Sequence, residues 1–160
     1  MADAIPRQQT PQGSSKTKDN IVQAIVPTDT LLTIKLMKNK TTIDNEKKLL
    51  TCSLEGAFDV DASIALAQRL RTQARELGCN ILYDARKLQI SDSIFPVYEF
   101  ATRLSSIIDT LALRKIKVAF LHQDNDHDAQ WKFYEDTAVN RMLLIKVFQK
   151  EQEAIAWLSN

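Results

Sequence analysis

Two short stretches gather most of the residues whose types and spacing could do chemistry. His122-Gln123-Asp124-Asn125-Asp126-His127-Asp128 puts two imidazoles and three carboxylates within seven residues. Such donors suit a divalent cation, and His122, Asp124 and His127 are the candidate ligands. The run lacks a helical His-x-x-x-His pair and a glycine for a calcium loop. A solvated loop leading into an acidic helix start is therefore the simpler expectation.

The second stretch is Ser91-Asp92-Ser93, which stands where an apolar run hands over to a helical pattern. A helix start has unpaired N–H groups and about half a positive charge. A serine there can cap the helix or host a phosphate, which adds roughly −1.5 to −2 charges. The next residues are Ile94, Phe95 and Pro96. A residue before proline avoids helical angles, and proline sits best at the first helical position. The helix is expected to begin at Pro96, leaving Ser93 in the loop. Capping or loop bonding is favoured over a phosphate switch.

Enzyme signatures are missing. Only three glycines occur, too few for a phosphate-cradling loop. No nucleophile elbow is present, and no Ser or Cys has an obvious base nearby in the sequence. A non-enzyme without a cofactor is expected. Metal-assisted catalysis at His122 and His127 is kept as the lowest-ranked alternative.

The elements that must position these residues follow from periodicity. Thr30–Lys38 alternates apolar and polar residues, as does Leu49–Gly56, so both are expected to be strands. Lys40–Lys47 is polar and reads as the turn between them. Asp59 offers an N-cap, apolar residues then recur from Val60 to Leu77, and Gly78 stands where a helix would stop. Arg69, Arg71 and Arg75 are read as a solvated face of that helix. Cys79–Tyr83, Ile116–His122 and Leu143–Phe148 are short apolar runs expected to be strands. Helical patterns occupy Ile94–Leu111, Asp126–Met142 and Lys150–Ser159. The order β-β-α-β-α-β-α-β-α implies a mixed sheet, antiparallel at its start and parallel after it.

Composition narrows the class. Net charge is +1, which does not suggest nucleic acid as a partner. No apolar run reaches the ~20 residues of a membrane helix, and the first residues lack the apolar core of a signal peptide. A cytoplasmic protein is expected. Residues 1–27 are polar, with Pro6, Pro11 and Gly13, and are read as a disordered tail before a domain over 28–160. Cys52 and Cys79 are read as buried free thiols.

The order of elements resembles the STAS fold of anti-sigma-factor antagonists. Asp84 at a strand end, Leu88 and Ile90 as a ladder, and Asp92-Ser93 at the phosphoacceptor position carry this resemblance. The closing run Val147-Phe148, Glu151, Glu153-Ala154-Ile155-Ala156-Trp157-Leu158 resembles the C-terminus of a STAS-like branch of small bacterial proteins, which is grouped with the lipid-exchange CRAL-TRIO fold. The resemblance implies a signalling module that binds a protein partner, such as a regulatory kinase or a sigma-factor-type regulator. Asp84, Arg86, Ser91, Asp92 and Ser93 would form its contact edge, and a homodimer is left open. The alternative it implies is a small apolar molecule or lipid held in a pocket lined by Phe95, Tyr98 and Trp131.

Overall fold

The computed structural model describes residues 36–123 and 127–160. The tail assigned to residues 1–27 lies outside these, as do Thr30–Lys35 of the first expected strand. Five strands and four helices follow in the order β-β-α-β-α-β-α-β-α. The strands are β1 (Lys38–Asp44), β2 (Leu49–Ala57), β3 (Asn80–Gln89), β4 (Val118–Leu121) and β5 (Ile145–Phe148). The helices are α1 (Val60–Leu77), α2 (Phe95–Thr110), α3 (Asp128–Val139) and α4 (Glu151–Ser159). The sheet runs β1-β2-β3-β4-β5, with β1 antiparallel to β2 and every later pair parallel.

Strand alternation splits the interior in two. Leu50, Cys52, Ile81, Tyr83, Val118, Phe120 and Ile145 face one way, where they pack with the apolar stripes of α1, α2 and α3. Leu49, Leu82, Ala119, Leu121 and Phe148 face the other way and meet Ala154 and Leu158 of α4. Since the parallel strands add in sequence order, right-handed crossovers put their three connecting helices on one side. Only α4 covers the opposite side among the described residues. Cys52 and Cys79 are free and buried.

Helix α1 has both its expected ends. Asp59 accepts a hydrogen bond from the Ala62 N–H at 2.7 Å. Gly78 takes the left-handed conformation, φ 63°. The Gly78 and Cys79 N–H groups then return to the carbonyls of Arg75 and Ala74, which satisfies two of the otherwise orphaned acceptors.

Among the boundaries that differ from expectation, three bear on how the strands pair and where the rim begins. The polar run from Lys40 is not a turn: most of it lies in β1, and the turn is confined to Asn45–Lys48. A strand can be polar on both faces where neither face is covered, and the β1 side chains are mostly exposed. Strand β3 does not stop at Asp84 but continues to Gln89, paired with the end of β2. The register slips there: Ser53 opposes Asp84, and Glu55 opposes Lys87. The extra residue turns Leu88 back toward the helical side, where it and Ile90 pack on the core. Helix α2 begins at Phe95, one residue ahead of Pro96.

Candidate functional site

The parallel strands end at one rim, the position where open α/β sheets bind ligands. Ser91, Asp92 and Ser93 follow β3 there and are exposed. The Ser91 Oγ accepts from the Ser93 N–H at 3.1 Å, and the Ser93 Oγ accepts from the Phe95 N–H at 3.3 Å. These bonds form a ladder of small turns leading into α2. Ile94 holds the cap position itself and supplies no side-chain bond.

His122 and His127 lie on the loop from β4 to α3, beside this trio. The His127 Nδ1 is 3.7 Å from a carboxylate oxygen of Asp92. The Gln130 amide donates to the Asp92 carbonyl at 3.1 Å. The structure thus brings the two sequence stretches together at one rim. His122 is built into the scaffold: it is buried and stacks on Trp131, with ring centroids 5.3 Å apart. Its Nδ1 donates to the Gln123 carbonyl at 2.8 Å and lies 3.5 Å from Asp128. The Gln149 amide in turn donates to Asp128 at 3.2 Å. Asp124 lies outside the described residues. Among the described residues, no group of three or more His, Cys, Asp or Glu side chains could hold a metal ion.

Asp84 and Arg86 occupy a different part of the rim. Arg86 grips the Asp84 carboxylate with two bonds, 2.8 and 2.7 Å long, and reaches Glu151 of α4 at 3.6 Å. The Arg86 guanidinium holds the Asp84 carboxyl below its usual range, against the smaller upward effect of burial. The pair faces a polar groove of about 470 Å³ with Lys38, Lys40 and Lys87 on its walls. No hydrogen bond or ion pair joins it to the serine trio among the described residues. The expected contact edge thus holds two separate sets of bonds.

The expected aromatic pocket also divides. Phe95 is 77% exposed and Tyr98 about half exposed, so neither encloses an interior space. Trp131 does line a cavity of about 50 Å³ under the helices, together with Phe58, Tyr83, Val97, Phe100 and Tyr134.

One functional candidate escaped the sequence reading. Arg71, read as solvated, is 2% exposed and is the largest fully buried side chain. Its spacing signalled this: Ile64, Ala67, Arg71 and Ala74 recur in steps of three and four along the buried face of α1. Burial pushes its pKa down, while the nearby Tyr83 and Tyr134 hydroxyls act in the opposite sense.

Among the described residues, no helix is long and apolar enough to cross a membrane. No protein-family model and no curated protein matches the chain.

Proposed function

We propose that this chain is a STAS-like, non-enzymatic module of the cytoplasm that binds a protein partner through the rim at the start of α2. The observation that carries this reading is the run of exposed side chains from Ser91 to Phe95. Large apolar groups, Ile94 and Phe95, stand in solvent directly after a polar trio, and Tyr98 adds a third one turn later. Aromatic residues ringed by polar ones are what interface centres are made of.

The chemistry of the partner follows from the rim. Asp61 and Glu99 are already engaged by Arg103, at 2.8 and 3.0 Å. The Asp92 side chain is fully exposed. A matching surface offers an apolar pocket to Phe95 and a basic group to Asp92. A phosphate on Ser93 would add negative charge beside Asp92 and alter the match.

Affinity capture with the full chain, followed by reconstitution from purified parts, tests this. Phe95→Ser is expected to weaken the reconstituted complex at least tenfold, and Ser93→Asp to change its affinity. Both variants should keep the melting temperature within about a degree, because both sites are exposed. If every captured protein binds wild type and Phe95→Ser alike, the reading fails.

A further inference from the structure

The polar groove beside Asp84 and Arg86 lies on the α4 side of the sheet. Directly opposed residues of neighbouring strands point to the same face. Lys38 opposes Glu55 and Lys40 opposes Ser53 across β1 and β2. Glu55 in turn opposes Lys87 across β2 and β3. Leu49 of β2 faces the α4 layer, and Ser53 and Glu55 follow it in steps of two along the same face. Helix α4 packs on β3, β4 and β5. The side chains at this end of β1 and β2 are left exposed, and with Lys87 they bound the groove of about 470 Å³. That volume is within the ~300–1,000 Å³ of small-molecule clefts. Its place near the carboxyl ends of the parallel strands is where open α/β sheets take ligands.

Charge in the groove is uneven. Asp84 and Arg86 are paired with each other, and Arg86 also reaches Glu151. Lys38, Lys40 and Lys87 enter no ion pair among the described residues. They face the one remaining carboxylate of the lining, Glu55. Three ammonium groups against one carboxylate attract an anion. These donors are point charges with rotatable N–H groups, which suit a tetrahedral phosphate. The one planar guanidinium, which would suit a carboxylate, is already engaged. No aromatic side chain lines the groove, so a nucleobase has nothing to stack on. None of the exposed large apolar side chains lines it either, so a membrane surface finds no anchor there.

Lys38 on β1 and Lys87 on β3 flank Glu55 on β2. Neighbouring strands lie ~4.8 Å apart, so the two lysine backbones stand roughly 10 Å from each other. We propose that this groove binds a small soluble polyol bisphosphate, a sugar with a phosphate at each end. Lys87 takes one phosphate, and Lys38 with Lys40 takes the other. The hydroxyls between them donate to the Glu55 carboxylate, with the Ser53 hydroxyl beside it. This goes beyond partner binding at the start of α2 and uses none of the residues there.

The test is calorimetric titration of the full chain at constant ionic strength, with fructose 1,6-bisphosphate, fructose 6-phosphate and inorganic phosphate as probes. The bisphosphate is expected to bind saturably and at least tenfold more tightly than the other two. Lys38→Gln and Lys87→Gln are each expected to weaken it at least fivefold. Lys115→Gln, an exposed site ahead of β4 at the opposite end of the strands, should leave it unchanged. Glu55→Ala separates the proposed arrangement from bare charge attraction. Loss of a negative charge would strengthen bare attraction, whereas loss of the hydroxyl acceptor is expected to weaken bisphosphate binding. All four sites are exposed, so the variants should keep the melting temperature within about a degree. The proposal is overturned if the bisphosphate does not bind saturably, if inorganic phosphate binds as tightly, or if Glu55→Ala binds more tightly. Binding to vesicles that contain phosphatidylinositol 4,5-bisphosphate, with none to the free sugar, also overturns it, because the groove would then serve a lipid head group.

Discussion

Asp84 and Arg71 are charged side chains set in opposite ways. Asp84 is held as a carboxylate by two bonds from Arg86 and one from the Arg86 N–H. Its folded pKa lies below the unfolded value, so its contribution to stability is complete above the unfolded pKa, at about pH 4. That contribution is lost as the pH falls through the folded value. A melting curve measured from pH 6 to pH 2.5 should therefore drop less steeply in Asp84→Asn than in wild type below about pH 4. Equal slopes would mean that the pair contributes nothing, as many partly exposed pairs do. Arg71 shows where reading the sequence by residue type failed. It reads as solvated with Arg69 and Arg75, although its spacing from Ala67 and Ala74 matches the buried stripe of α1. The aromatic candidates went the other way, because hydrophobicity alone could not distinguish exposed Phe95 from buried Phe100 or Trp131. That distinction depends on which side of α2 meets the sheet.

Elements with punctuation were legible, and elements without it were not. Helix α1 carried its own start and stop in Asp59 and Gly78, and its observed bounds equal the expected ones. At Gly78 the need is conformational: φ is 63°, and an added Cβ would meet no atom within 4 Å. Gly78→Ala should cost about 1 kcal/mol from left-handed strain alone, measured by denaturant unfolding. A loss far above that would point to a clash that the structure lacks. Strand β1 had no such punctuation. Its side chains are mostly exposed, so no alternation of hydrophobicity marked it. The bulge in β3 was equally invisible, since it arises from pairing with β2 rather than from anything local. Both stretches of candidate chemistry were legible as strand-to-helix loops, and the parallel order of the strands explains why they share a rim.

At the scale of the whole molecule, the two interiors are unequal. Among the described residues, three helices cover one side of the sheet, and nine residues of α4 cover the other. Each buried contact of α4 therefore carries more of its own layer. Leu158 is buried against that layer, and Leu158→Ala should cost about 2–4 kcal/mol in equilibrium unfolding. A cost under about 1 kcal/mol would show that this layer adds little to the fold. The α4 end is tied down by Asn80, whose amide donates to the Leu158 carbonyl at 2.8 Å while its oxygen accepts from the Lys117 N–H.

The exposed strand β1 has a further effect. It is the outermost strand of the described sheet, and it begins Lys38-Asn39-Lys40. A second copy adding itself parallel and in register along that border would bring ammonium groups close together, and lysines on such borders oppose fibril-like stacking. The polarity that hid this strand from the eye thus also guards the molecule against growing by accretion.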